Sequence, residues 1–201
     1  MNRLRVAAVI PAAGLSSRMQ TFKPLQTIGE KTLIKHAVDL FKSIEISDIV
    51  VVAGHRSEDL IPVVEMMSCH CVVNRNFHDG MFSSIQRGVR ELKGRCDAFF
   101  LLPVDIPLVR PGTVLQVLEI FKQKTSVLIC YPQFQSRRGH PPLICSSLID
   151  PILTYDGQGG MRGLLSRFED RAVNVSVNDS FIRMDADTPE DLFLLEDKYL
   201  R

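Results

Sequence analysis

Short runs of apolar and β-branched residues alternate along this chain with longer segments whose apolar residues recur at helical spacing, and no other feature constrains its fold as strongly. That rhythm marks βαβ units in a mainly parallel sheet, because a parallel partner strand is reached only through a crossover, usually a helix. Strands are expected at residues 5–11, 48–53, 69–73, 98–102, 126–130 and 172–177, and helices at 32–43, 58–67, 83–92, 111–122 and 189–200. The last helix has a well-formed start: Thr188 suits the N-cap, Pro189 the first helical position, and Glu190 and Asp191 the positive end of the dipole.

The expected fold class is α/β, a three-layer αβα arrangement in one domain spanning residues 1–201. A chain of 201 residues buries roughly two-thirds of its unfolded surface and needs no staples. The stretch 132–142 is polar and basic before Gly139-His140-Pro141-Pro142, and it reads as a functional loop or hairpin inserted in the domain. With 24 basic and 23 acidic residues there is no broad positive field for a nucleic acid backbone. The apolar run after the basic N-terminus breaks at Pro11, too short for a membrane span, and a cytoplasmic protein is expected. Cys69, Cys71, Cys96, Cys130 and Cys145 are an odd, scattered set that reads as reduced thiols. The triplet Cys69-His70-Cys71 lacks a second pair at finger-like spacing and reads as a buried strand, not a zinc site.

The first strand is followed by Pro11-Ala12-Ala13-Gly14-Leu15-Ser16-Ser17-Arg18-Met19 and then Lys23-Pro24. Small residues let the backbone approach a ligand, Gly14 is free to take positive φ, and successive N–H groups are then expected to converge on an anion. Arg18 offers a planar fork to phosphate oxygens, and Lys23 a compact charge for the charge that develops in phosphoryl chemistry. The loop is neither a Walker A sequence nor a dinucleotide fingerprint.

A carboxylate, Asp105, follows the apolar strand 98–102 between Pro103 and Pro107, where an open parallel sheet exposes the carboxyl ends of its strands. Mg²⁺ needs one or two carboxylates plus phosphate oxygens, so Asp105 beside a triphosphate loop suffices to begin a metal site, although a turn cap is the simpler alternative. Asp185 and Asp187 alternate just before the last helix, and either fits as a second ligand or as part of a helix start. Gly80 permits close backbone approach, while Ser83 or Ser84 fits as a helix cap or as a group aimed at a base edge. In Arg137-Arg138-Gly139-His140-Pro141, Gly139 frees the backbone, Pro141 fixes it, and His140 is presented as a donor. Arg162, after Gly157-Gln158-Gly159-Gly160, fits a helix start that meets phosphate. The sequence offers no convincing Ser/His/Asp or Cys/His nucleophile set.

The loop from Ala12 to Met19 with Lys23-Pro24 resembles the signature loop of sugar-nucleotide-like nucleotidyltransferases, most closely that of the molybdenum cofactor cytidylyltransferases, with Gln20 where many members have Gly. The resemblance implies a Rossmann-like nucleotidyltransferase sheet and Mg²⁺-dependent transfer of CMP from CTP to the phosphate of molybdopterin, releasing pyrophosphate. It further implies that Arg18, Lys23 and Asp105 are catalytic, that Asp187 joins Asp105 on the metal, and that residues 11–17 with Gly80 and Ser84 bind the nucleotide. Ala12-Ala13-Gly14, where guanylyl relatives commonly show a Gly-Gly pair, favours CTP. Arg138, Gly139, His140, Pro141 and Arg162 are then expected to meet the acceptor, within an insertion around 132–170, and a molybdoenzyme or its chaperone is a further expected partner. Guanylyl transfer, another phosphorylated acceptor, or a non-catalytic cofactor carrier are the rival readings.

Overall fold

The computed structural model describes residues 4–15, 19, 21–124 and 126–200. Ser16, Ser17 and Arg18 of the first loop lie outside the described residues. The chain opens with β1 (Val6–Pro11), a single-turn 3₁₀ segment at Lys23–Leu25 and a small hairpin of β2 (Thr27–Ile28) and β3 (Lys31–Thr32), which delivers it into α1 (Leu33–Lys42). There follow β4 (Asp48–Ala53), α2 (Ser57–Met66), β5 (His70–Val73), α3 (Met81–Arg90), β6 (Ala98–Leu101) and α4 (Pro111–Gln123). The remainder comprises β7 (Ile129–Phe134), β8 (Arg137–Arg138), β9 (Leu143–Cys145), α5 (Ile149–Thr154), α6 (Gly160–Leu165), β10 (Ala172–Ser176) and α7 (Pro189–Leu200).

The main sheet runs β10-β7-β9-β6-β1-β4-β5, with β8 paired to β7. All of its long pairings are parallel except those of β9, which is antiparallel to both β6 and β7. Strand β1 reads Val-Ala-Ala-Val-Ile-Pro because both of its faces are covered. Ala8 and Ile10 join a core with α1, α2, α4 and α7, while Ala7 and Val9 join a second core with α3, α5 and α6. Those two cores are the two interlayer spaces of the three-layer αβα fold. Phe41 and Phe100, both fully buried, sit on the first side, and Phe99 sits on the second; each contributes about 2 kcal/mol of apolar burial.

From β1 the chain moves to β4 and β5 on one side, and then returns to place β6 on the other. The order of strands therefore reverses between β1 and β6, and the crevice outside their carboxyl ends is where open α/β sheets bind ligands. A backbone bond from Val104 N–H to the Pro11 carbonyl, 3.2 Å, ties the two loops together there.

Three departures from the expected elements have physical reasons. Strand β7 starts later and runs through Pro132, because its partner β9 covers only Ile129 and Cys130, and Pro132 meets no ladder on that side that needs its N–H. The antiparallel β9 has three residues after a Pro-Pro pair, too few for a readable period. Helices α5 and α6 are six residues each; the sequence marked the start of α6 at the glycines before Arg162 but gave no sign of α5. Among the described residues no helix is long and apolar enough to cross a membrane.

Buried Asp179 fixes the loop after β6. Its carboxylate accepts hydrogen bonds from Arg110 N–H (2.9 Å), the Thr113 hydroxyl (2.7 Å) and Phe181 N–H (3.1 Å), which caps the start of α4 from a distant segment. Asp179→Ala is expected to cost about 3 kcal/mol in urea unfolding, because buried donors lose a charged acceptor.

The cysteines are free. On β5, Cys71 packs toward the first core while His70 is exposed, its Nε2 3.5 Å from Glu91. Burial pushes the thiols of Cys71, Cys96 and Cys130 up to about 11. At pH 8 only about one part in a thousand of such a thiol is the reactive thiolate. Buried Cys96 and Cys130 are therefore expected to resist alkylation until denaturant is added, as intact-mass measurement would show.

Candidate active site

Lys23 is delivered to the β1/β6 crevice by its neighbours. Met19 and Phe22 are buried in the core on either side of the loop, Pro24 starts the 3₁₀ turn, and the Arg56 guanidinium lies over the Phe22 ring at 5.1 Å. Asp105 arrives on the loop after β6. Its backbone carbonyl accepts a hydrogen bond from Ala186 N–H, 2.8 Å, and this bond draws the segment before α7 into the same crevice. Thr188 and Asp191 form a reciprocal capping box at the start of α7, with the Thr188 hydroxyl accepting from Asp191 N–H and the Asp191 carboxylate accepting from Thr188 N–H. Asp187 thus stands one residue before the cap.

Three groups far apart in the chain meet here. The Lys23 ammonium is 2.6 Å from Asp187 Oδ1 and 3.6 Å from Asp105 Oδ2, and all three side chains are partly buried. Burial raises the Asp105 carboxyl above the ordinary carboxylate range; Lys23 opposes this, while the charges of Asp187 and Asp185 add to it. Asp185 is exposed and Asp187 is the one paired with Lys23. Two carboxylates converging on one cation are a donor set of the kind Mg²⁺ takes together with phosphate oxygens.

His140 reaches the same neighbourhood from the sheet's far half. Its backbone N–H donates to the Ile182 carbonyl (2.8 Å), its peptide bond to Pro141 is cis, and its Nδ1 lies 3.5 Å from the Leu101 carbonyl. Burial lowers its imidazole pKa, an effect opposed by that carbonyl and by the charges of Asp105 and Asp185. Gly139 makes this possible. A Cβ there would stand 2.4 Å from the Ile182 carbonyl oxygen, so only glycine lets the two backbones touch.

Other sequence expectations need correction. The Ala12 N–H is not available to an anion, because it donates to the Val52 carbonyl at 2.9 Å, and the Ala13 carbonyl accepts from His55 N–H. Gly14 is exposed but does not take positive φ. Ser84 is buried with its hydroxyl against the Asn74 amide, and the N-cap of α3 is Gly80 rather than a serine. Arg138 is spent inside its own surroundings: it bonds Glu169 through two nitrogens and Asn174 through Nε (2.6 Å), and stacks 4.2 Å from the Tyr131 ring centroid. It braces the hairpin β7-β8 instead of facing Lys23. Arg162 lies exposed in the first turn of α6, at the helix start expected from the sequence.

Sequence reasoning also missed two residues. A Cβ on Gly54 would come within 2.6 Å of Ala13 Cβ, so this glycine lets the end of β4 close on the first loop. Asn74 ties the end of β5 to α3. A glycine after five buried strand residues was a readable sign of close approach; nothing in the sequence distinguished Asn74 from a turn residue.

The family model of the MobA-like NTP transferase domain matches residues 8–173. The chain belongs to this family. Among curated relatives, the bifunctional protein GlmU of Corynebacterium aurimucosum is 31% identical over 120 residues, covering 56% of this chain and 25% of that protein. Such matches span a quarter to a third of the relatives' own length. Solved structures of three proteins share the fold of this MobA-like domain. Rv0371c of Mycobacterium tuberculosis H37Rv superposes with a TM-score of 0.85 at 19% identity over 98% of this chain and 100% of that one; its manganese complex gives 0.79 at 17%, over 96% and 98%. Mth528, a nucleotidyl transferase from Methanothermobacter, gives 0.84 at 23%, covering 98% of each chain. A CMP:2-keto-3-deoxy-manno-octonic acid synthetase complexed with CTP gives 0.76 at 15%, again covering 98% of each.

Proposed function

We propose that this MobA-like NTP transferase domain transfers CMP from CTP to the phosphate of molybdopterin with Mg²⁺ bound, and releases pyrophosphate. The observation that carries the reading is the meeting of Lys23, Asp105 and Asp187 at the carboxyl ends of β1 and β6. Asp105 and Asp187 are the residues that would hold the ion, and the ion when bound supplies charge neutralisation on the phosphates.

The reaction asks little covalent chemistry of the protein. An oxygen of the acceptor phosphate attacks the α-phosphorus of CTP, a new P–O bond forms, and the bond to the β-phosphate bridging oxygen breaks, its electron pair leaving with pyrophosphate. A phosphate monoester is already ionised near neutral pH, so no general base is needed. Lys23 offers its ammonium to the triphosphate oxygens and stabilises the charge that builds on the leaving group, and Arg18 acts from the same loop. On the acceptor side, His140, held by its backbone bond to Ile182 and lowered in pKa by burial, is a neutral hydrogen-bonding group beside Asp105. The Ala-Ala-Gly choice at 12–14 supports CTP as donor, and the Gly139-His140-Pro141 stretch supports molybdopterin as acceptor.

Incubating the protein with CTP, Mg²⁺ and molybdopterin tests this directly by mass spectrometry of the product. An acceptor heavier by one CMP, with stoichiometric pyrophosphate, is expected. Transfer of GMP instead, or transfer only to a different phosphorylated alcohol, overturns the assignment of donor or acceptor.

A further inference from the structure

The Lys23 ammonium is within reach of two carboxylates at once, 2.6 Å from Asp187 Oδ1 and 3.6 Å from Asp105 Oδ2. The side chains of Lys23, Asp105 and Asp187 are only 13%, 20% and 33% exposed, so little water screens these contacts and each is stronger than an ion pair on an open surface. The two carboxylates owe their convergence to backbone contacts, not to the lysine. Ala186 N–H donates to the Asp105 carbonyl and fixes the residue before Asp187, while the Thr188–Asp191 capping box fixes the residue after it. On the other side, Val104 N–H bonds the Pro11 carbonyl at 3.2 Å and Ile106 N–H that of Pro103 at 3.1 Å, which holds Asp105 from both flanks.

A divalent ion shared by these carboxylates competes with that ammonium for the same ground. Mg²⁺ sits about 2.1 Å from its oxygen ligands, so an ion on Asp187 Oδ1 comes within about 5 Å of the Lys23 nitrogen wherever it is placed. Two cations that close in a partly buried site repel strongly, and carboxylate charge engaged by one is lost to the other. The coordination shell also asks for more than the chain supplies. Among the described residues no group of three or more His, Cys, Asp or Glu side chains could hold a metal ion, whereas Mg²⁺ takes an octahedral shell. A triphosphate meets both needs, giving oxygens to the ion and a polyanionic partner to the ammonium.

We propose that Lys23 is a placeholder cation: its ammonium holds Asp105 and Asp187 against a free divalent ion until a triphosphate draws it away. The ion then enters with the triphosphate and not before it, and the ammonium passes from the carboxylates to the phosphates in the same exchange. The proposal rests on the reading of this crevice as a metal-dependent nucleoside triphosphate site and is independent of base and acceptor.

Titration of Mn²⁺ alone, followed by electron paramagnetic resonance, tests it on the wild type, Lys23→Met, the double variant Lys23→Met/Asp105→Asn and Lys93→Met, with circular dichroism melts as the check on folding. Lys93 pairs with Asp150 on the open surface, so Lys93→Met removes the same charge outside the crevice. Lys23→Gln keeps a hydrogen-bond donor for Asp187 without the charge, and it carries the test if Lys23→Met does not fold. The wild type is expected to bind Mn²⁺ weakly, at about 1 mM. Lys23→Met should bind it at least about tenfold more tightly, while the double variant and Lys93→Met stay at the wild-type level. A folded Lys23→Met with wild-type affinity would overturn the proposal, as would a gain that survives in the double variant or is shared by Lys93→Met. Pyrophosphate release from CTP is read separately. Its absence from the wild type, beside a tightened Mn²⁺ site in Lys23→Met, would sink the transfer reading and leave the placeholder standing; normal release with unchanged Mn²⁺ affinity would do the reverse.

Discussion

Lys23→Met is expected to slow pyrophosphate release by about a thousandfold, the scale seen when a donor aimed at developing charge is removed. Methionine keeps the apolar stem that packs in the loop and removes only the ammonium. Because the lost interaction is strongest when charge moves onto the leaving group, kcat should fall much more than KM changes. The exposed pair Lys93–Asp150 supplies the control: both side chains are about two-thirds exposed, and Lys93→Met is expected to leave the rate within twofold. A Lys23→Met protein that melts like the wild type and retains its rate within a few-fold would remove Lys23 from the chemistry.

Asp105→Asn is expected to have an effect of the same order, about 10³-fold, together with loss of divalent-ion binding measured by electron paramagnetic resonance of Mn²⁺. The amide matches the carboxylate in shape, and the backbone bond from Ala186 to the Asp105 carbonyl does not involve the side chain, so the local fold should persist. Asp187→Asn should cost less, since that carboxylate is more exposed than Asp105. The raised pKa of Asp105 sets the sign of the pH dependence. A carboxyl that holds its proton more tightly competes with metal at higher pH, so ion binding should weaken on the acid side at a pH above that of an ordinary exposed carboxylate. An ion affinity that is flat down to the usual carboxylate range would show that Asp105 is not the ligand.

Much of this was legible in the sequence because it followed from period and position. The two-sided burial of β1 is written in its unbroken apolar run, and the start of α7 in Thr188-Pro189-Glu190-Asp191. Lys23 and Asp105 were each read as lying after a strand, where such sheets bind ligands, and the pairing of β1 with β6 brings the two together. The rest depended on contacts that no local pattern encodes. The ion pair of Asp187 with Lys23, and the backbone bond from Ala186 to Asp105 beside it, join segments more than 80 residues apart and leave no local trace in the sequence. Arg138 looked available to an acceptor because its partners, Glu169 and Asn174, lie more than 30 residues away. The Ala12 N–H looked free because sheet pairing with Val52 continues one residue past the named strand.

The most direct measurement is anomalous scattering from Mn²⁺ in crystals grown with a non-hydrolysable CTP analogue. The account predicts one peak within ligand distance of both the Asp105 and Asp187 carboxylates and of triphosphate oxygens, with the Lys23 ammonium moved onto those same phosphates. A peak away from Asp105, or a triphosphate bound beyond the reach of Lys23, would contradict it.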